Sequence, residues 1–373
     1  MVPQIEKNKI ESIQVIRGVA ALFVVLFHYR QNINNVYAQT NLGDLLFSYG
    51  WFGVDLFFLI SGFIIYKTTE EKKPKLDFII KRIFRIYPAY LFCLSIFMIL
   101  FFIIPHVDIN IKTLIKSLIL IPIDYMNAGP FYGYSILSVA WTLSYEMLFY
   151  LIFFISMSIS QKYRLEICSF MIIILPLALQ VYFFGTIDIL STSGNSNFIN
   201  NSTLSNLNFA SNPIIFEFII GMLIGRYYDQ IISTVRNKKI ISYLLFFVIG
   251  VTICYLISGK FTQHGITSRG AGTPSIVIMV SFIMLASIKS SLLPKSLINL
   301  GAISYSLYLV HIITPFILNA VGITHALSTG VSVLFLNLIA SIFFATLIYN
   351  YIEIPFMNLA RKITNKDKAH QNR

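Results

Sequence analysis

The sequence predicts an all-α polytopic integral membrane protein, and three observations predict it. Of its 373 residues 56% are hydrophobic and 12% charged, with a mean hydropathy of +0.75, whereas soluble domains carry about 25% charged residues. Apolar stretches long enough to cross a bilayer recur along the whole chain. The Lys and Arg residues between them alternate between dense and sparse, as loops on the two sides of a membrane do. The 33 Phe and 21 Tyr fit the same class, since aromatic rings pack against lipid and Tyr keeps its hydroxyl near water.

The apolar stretches read as about ten spans, near 13–29, 46–66, 84–104, 139–158, 166–184, 213–228, 240–257, 273–288, 300–319 and 330–350. With the N-terminus in the cytosol, one side receives Lys7, Lys9, the loop from Lys67 to Arg85, Lys162, Arg164, Arg236 to Lys239, Lys289, Lys295 and the tail from Arg361. The other receives only Arg30, Lys112, Lys116, Lys260 and Arg269. The positive-inside rule therefore puts both termini in the cytoplasm. It also accounts for the net charge of +12 without nucleic acid.

Cys93, Cys168 and Cys254 fall within spans and show neither redox nor metal-ligand spacing, so they read as packing residues. No cleavable signal peptide is evident, and the first span reads as an uncleaved anchor. Between the third and fourth spans, Ile111 to Ile123 is short, apolar and carries Lys112 and Lys116; it fits an outer interfacial helix or a re-entrant segment. Ser191 to Asn212 is rich in Asn and Ser and reads as an outer loop, in which the Asn-Ser-Thr triplet at Asn201 is expected by chance. No internal repeat and no cytosolic connection of domain size is present, so residues 1–363 are expected to form one membrane domain. The basic stretch 364–373 is expected to be a disordered cytoplasmic tail.

Ionisable groups within spans are costly to bury and mark functional candidates. The first span holds Arg17 and His28. Eleven steps of ~100° return them to nearly the same face, ~16 Å apart. An Arg fork at the cytosolic mouth binds phosphate, and a pantetheine arm threaded along that face would bring the thioester of coenzyme A to an imidazole suited to general-base work. Arg17 also fits a residue snorkelling at a helix end, and His28 a satisfied packing residue. Lys81, Arg82 and Arg85 precede Tyr87 and Pro88 at the entrance to the third span. The two Arg, three residues apart, share a helix face and suit phosphate, although a topology-setting basic loop accounts for much of the charge before them.

Asp55 and Glu146 lie mid-span without a basic neighbour in sequence. Each pairs across helices or stays protonated. Each is a candidate to orient His28 as its carboxylate partner or to hold an acceptor hydroxyl, and each also fits a structural interhelical bond. Glu217 is a further intramembrane carboxyl. Tyr308 and His311 share a helix face with Tyr305 nearby, and Glu353 with Pro355 marks the last exit. Arg269, Gly272 and Pro274 lie at the outer mouth, where they meet a glycan or only shape a turn. Ser61, Tyr308, His311 and Arg269 complete the candidates for substrate contact.

These landmarks resemble the membrane-bound acyltransferase-3 family over essentially the whole chain. The resemblance rests on an ordered set: Ile16-Arg17-Gly18 through His28, the run from Phe57 to Phe63 with Ser61-Gly62, Arg82-Ile83-Phe84-Arg85 to Pro88, Trp141 through Glu146, Tyr305 to His311, and Glu353-Ile354-Pro355-Phe356. Membership implies an enzyme of the bacterial cytoplasmic (inner) membrane that takes an acyl group, most often acetyl from cytosolic acetyl-CoA, and places it on a hydroxyl of a cell-surface glycan. The family's essential Arg and His fall on Arg17 and His28, and its two-Arg motif on Arg82 and Arg85. Many relatives add an extracytoplasmic SGNH hydrolase-like domain. None is read here, so the acceptor is expected at the membrane domain itself or at a separate acyl-relay partner.

The expected chemistry has Arg17, Arg82 and Arg85 holding coenzyme A phosphates and His28 deprotonating the acceptor hydroxyl, with Asp55 or Glu146 setting the state of His28. An acyl-His28 intermediate is the alternative route. The rival from another class is a proton-coupled transporter with a midplane ionisable site. It lacks the matched halves of many transporters and has no use for Arg82 and Arg85 at a cytosolic mouth.

Overall fold

The computed structural model describes residues 4–71, 74–103, 110–192, 199, 203–235, 239–289, 292–323 and 329–371, with backbone alone at 4–10, 101–103, 203, 239 and 365–371. The side chains of Lys7, Lys9, Arg236 to Lys239 and Lys366 to Lys368, and Asn201 with its triplet, lie outside that description. In chain order the helices are α1 Gln4–Tyr29, α2 Leu42–Phe47, α3 Gly53–Thr68, α4 Lys75–Ile103, α5 Ile111–Leu118, α6 Trp141–Ile159, α7 Arg164–Phe184 and α8 Phe216–Arg226. They continue as α9 Tyr228–Ser233, α10 Lys239–Ile257, α11 Gly272–Ile288, α12 Lys295–Ala302, α13 Ser304–Val310, α14 Thr314–Ala320, α15 Val331–Ile348 and α16 Ile354–Gln371. No strand occurs among the described residues, so the all-α polytopic reading holds.

The number of spans differs from the expected ten. Among the described residues seven helical segments are long and apolar enough to cross a membrane, or eight if the pair Leu204–Ser211 and Pro213–Arg226, bent by 49°, is one span. The stretch expected near 273–288 is α11, apolar but only 17 residues long. The one expected near 300–319 is broken into α12, α13 and α14. Pro315 in the first turn of α14 explains one break, because it has no N–H to continue the preceding helix. α15 passes through a π-helical turn, Tyr349–Glu353, into α16, and the stretch expected to be a disordered tail is helical as far as Gln371. Within the outer loop, Asn208, Ser211 and Asn212 are buried and hydrogen-bonded, so this part is packed. Cys93 and Cys168 are buried, whereas Cys254 is exposed.

Helix α1 is central, packed against α3, α11, α12, α13 and α15. Two glycine contacts set the spacing. A Cβ on Gly18 would stand 2.8 Å from the Gly301 nitrogen, so α1 and α12 touch backbone to backbone beside Arg17. A Cβ on Gly62 would press on the Phe218 carbonyl and stand 3.0 Å from the Met222 nitrogen, so α3 and α8 do the same. Small residues let membrane helices approach until dispersion and backbone contacts hold them, since lipid leaves no hydrophobic drive between them. Between these crossings lies a core of large buried rings, in which Phe149 stacks on Phe218 at 4.2 Å and Phe218 on Phe58 at 4.9 Å.

Overpacking at a backbone contact costs about 1–3 kcal/mol or more. We expect Gly62→Leu to lower the thermal midpoint of the detergent-solubilised protein by several degrees. Gly250→Leu, at a site where a Cβ meets nothing within 4 Å, should leave the midpoint unchanged.

Candidate functional site

A cavity of about 790 Å³ enters the bundle between α1, α3, α4, α6, α13 and α16. Its lining runs along α3 from Val54 to Thr68, a rise of ~21 Å, and along α6 from Thr142 to Met157, ~22 Å. One end holds Lys67, Lys81, Arg82 and Arg361 together with Glu71 and Asp77, an excess of cations in which Lys81 pairs with Asp77 and Lys67 with Glu70; the other is closed by Phe57, Thr142 and Tyr308. The basic end is the one that the distribution of Lys and Arg assigns to the cytosol.

Arg17 reaches the cavity from α1 and makes no hydrogen bond or ion pair with any described residue. Arg82 donates to Thr68 Oγ1 at 3.0 Å and lies over the Phe78 and Tyr150 rings, but its buried Nε has no partner and no carboxylate meets it among the described residues. Arg85 differs. It is ion-paired with Glu353, whose side chain is fully buried and accepts at Oε2 from Ser306 Oγ at 2.7 Å. Glu353 ends the π-helical turn, a local widening of the helix often found at functional positions. Glu146 accepts from Ser61 Oγ at 3.1 Å and from the Tyr150 hydroxyl on the cavity wall.

Beyond the closed end lie two imidazoles. His28 Nδ1 is 2.9 Å from the Val24 carbonyl and 3.2 Å from His311 Nε2. His311 Nδ1 is 3.1 Å from the Leu307 carbonyl. A carbonyl only accepts, so each neutral ring carries its proton on Nδ1. The single Nδ1 hydrogen of His28 is then shared between the Val24 carbonyl and His311 Nε2, and His28 Nε2 is left as the free basic nitrogen. His311 is buried and His28 exposed. The Tyr29 hydroxyl donates to the His311 carbonyl at 2.6 Å and meets Ser341 Oγ at 2.6 Å, fastening α1 to α13 and α15 at this level.

Asp55 stands elsewhere. Its carboxylate accepts from the Gly265 nitrogen at 2.7 Å and meets His264 Nδ1 at 2.8 Å, with Glu217 buried beside it. This pins the turn from Gln263 to Gly272 onto α3. The His264 ring packs between Trp51, 4.7 Å away, and Trp141, 5.4 Å away. Arg269, exposed on the same turn, accepts through its carbonyl from Thr262 and Gln263 and does not line the cavity.

The cavity thus brings together Arg17, Ser61, Arg82, Arg85, Glu146 and Tyr308, and leaves His28, His311, Asp55 and Arg269 outside its lining. The expected carboxylate partner of His28 is corrected. Neither Asp55 nor Glu146 bonds to it among the described residues, because both are committed to other groups, and its neighbour is His311. Sequence reading left three pairings unseen: His28 with His311, Asp55 with His264, and Arg85 with Glu353. The last two have no spacing signal, since their partners are 209 and 268 residues apart. The first had one trace, the shared face of Tyr308 and His311.

A cavity with several cations in its lining, within an all-α membrane bundle, is the class of site that the chain defines. The family profile of the acyltransferase-3 family, described as an acyltransferase domain, matches residues 10–350. The chain belongs to that family. It is 28% identical over 185 residues to the "Exopolysaccharide production protein ExoZ" of Rhizobium meliloti (strain 1021), a match covering 49% of this chain and only 52% of that relative. It is 25% identical over 325 residues to ORF330 of Acidianus two-tailed virus, whose name gives it as a candidate acetyltransferase, covering 85% of this chain and 87% of that one. No solved structure matches significantly.

Removing one member of a buried ion pair leaves a bare charge and costs about 3–5 kcal/mol. We expect that loss for Glu353→Ala, read as the unfolding midpoint in mild detergent, and recovery of most of it when Arg85→Met is combined with Glu353→Leu. Equal losses in both would show that Glu353 supports something other than Arg85.

Proposed function

We propose that this protein moves an acyl group, most simply acetyl, from cytosolic acyl-coenzyme A to a hydroxyl of a cell-surface or exported glycan. The observation that carries the reading is the pair of guanidiniums, Arg17 and Arg82, facing a cavity without a carboxylate partner among the described residues. Inside a bundle such groups call for an anion, and an Arg fork matches phosphate. Arg85, held by Glu353, adds a third cation, and the corridor of ~21 Å suits an extended pantetheine arm. Donor phosphates at the basic mouth place the thioester at the closed end.

His28 acts as general base through Nε2. The acceptor oxygen bonds to the acyl carbon, its proton passes to His28, the carbon–sulfur bond breaks, and the departing thiolate of coenzyme A recovers that proton. His311 is the positioning residue: it accepts from His28 Nδ1 and so keeps Nε2 unprotonated, the part a carboxylate plays in hydrolytic triads. Glu146, with Ser61 and Tyr150, lines the path of the donor. Asp55 holds the outer turn that presents Arg269 towards the acceptor. The name of the Rhizobium relative, an exopolysaccharide production protein, supports a glycan acceptor, met directly or through a separate extracytoplasmic relay protein. The bacterial cytoplasmic membrane, with both termini inside, is the setting that the charge distribution favours. Family membership weighs against the transporter alternative.

The test is transfer of radiolabelled acetyl from acetyl-CoA into envelope polysaccharide by membranes with matched amounts of each protein. His28→Ala should lower transfer by about 10²–10⁴-fold, the usual worth of a general base. Arg17→Ala should raise KM for acetyl-CoA. His311→Phe should lower kcat by about 10²-fold or more and shift the pH profile, with His311→Gln retaining more because its amide oxygen still accepts. Full transfer by His28→Ala would remove it as the base.

A further inference from the structure

The cavity stops where α3, α6 and α13 meet, and one side chain stands on both sides of that stop. Tyr308 lines the closed end, its hydroxyl 3.0 Å from Thr142 Oγ1 and 3.0 Å from the Val139 carbonyl, to which it donates. The Phe57 ring meets it edge-on at 5.8 Å. On its far side the His311 ring centroid lies 6.0 Å away, with that of His28 a further 4.9 Å on. Turning the tyrosine aside breaks both hydrogen bonds and leaves its own hydroxyl unpaired, while Thr142 still donates to the Val139 carbonyl at 3.1 Å, so the cost of moving the ring falls on Tyr308 itself.

We propose that Tyr308 sets the length of the acyl group that this protein transfers. The inference rests on the donor-cavity reading and deepens it to a substrate preference. With the phosphates at the arginines, the thioester arrives at the wall made by Phe57, Thr142 and Tyr308. Its carbonyl then lies against that wall, the part of the cavity nearest to the imidazoles, with the His311 ring 6.0 Å from that of Tyr308. An acetyl group adds one methyl beyond the carbonyl. A longer chain meets the Tyr308 ring and fits only when the thioester retreats towards the basic mouth. The rest of the cavity is roomy, about 790 Å³, so a longer acyl-CoA still binds. Its penalty therefore falls on kcat and not on KM, since only the position of the reacting carbonyl is lost. Tyr308 itself makes and breaks no bond in the transfer.

The experiment compares acetyl-, propionyl-, butyryl- and hexanoyl-CoA as labelled donors, with envelope polysaccharide of the same membranes as acceptor. Donor binding is followed separately by the thermal shift of the purified protein. For the wild type we expect kcat to fall about tenfold or more for each added methylene, with little change in KM. Tyr308→Phe keeps the ring and should keep that order. Tyr308→Ala should flatten or reverse it, and Phe57→Ala, on the same wall, should move it in the same direction and serves where Tyr308→Ala is unstable. An unchanged order in folded Tyr308→Ala or Phe57→Ala would overturn the proposal. A wild type that neither binds nor uses any acyl-CoA would instead overturn the donor reading, and this proposal with it.

Discussion

A guanidinium inside an apolar bundle has to find an anion or water, and Arg17 finds neither a carboxylate nor a carbonyl among the described residues. The nearby acids are already committed. Glu353 holds Arg85 and Ser306, and Glu146 accepts from Ser61 and Tyr150. The fold keeps Arg17 in this position by the contact of Gly18 with Gly301, which leaves α1 no room to slide or rotate. A positive field set up before a ligand arrives needs no rearrangement when the ligand binds, and the low-dielectric walls make it stronger than the same charges would be in water. On the proposed function, the phosphates of the donor offset the stability lost to an unpaired cation.

The broken segments of the chain gather around this field. The breaks at Ile303 and from His311 to Ile313, and the π-helical turn at Tyr349–Glu353, all lie in the last quarter of the sequence. Irregular backbone is tolerated at membrane depth where protein covers it or where it lines a cavity. Here the short helix α13 carries Tyr305 to the Ile86 carbonyl, Tyr308 to Thr142 and His311 to His28, three contacts on different neighbours within seven residues. The three residues stand three apart on that short helix and its C-cap, and its tilt between the breaks lets each meet a different neighbour. The interruptions that reduce the count of uninterrupted spans are the same ones that build the site.

That link explains what was legible in the sequence. The membrane class follows from composition, because composition is a sum over many residues. Arg17, Arg82, Arg85 and Glu146 stand out singly, since an ionisable residue in a span is rare. Their meeting in one cavity followed from helix faces that face each other. The partners were hidden. Asp55 reads as a mid-span acid in search of a base, and its base, His264, sits in a glycine-rich loop that gives no periodic signal. His311 reads as an isolated histidine until α13 is seen packed on α1. The span near 300–319 has the apolar length of a helix, and only Pro315 hints that it is three. Periodicity reports which residues share a face. It does not report which faces the bundle turns towards each other.

The use of a second imidazole where a carboxylate was expected has a physical logic. A carboxylate beside His28 would stabilise the imidazolium more strongly during proton transfer, but it would have to be desolvated at membrane depth at all other times. A neutral histidine costs far less to bury and still accepts the Nδ1 proton, so it fixes the tautomer without placing a charge in the bundle. The trade is a smaller reward in the charged state. In the proposed transfer it suits a cation on His28 that is brief, because a leaving thiolate is a strong enough base to recover the proton at once. The Tyr308 wall fits the same logic. On the proposed path it stops the donor with its phosphates at the arginines, so that no anion enters the part of the bundle that holds the imidazoles.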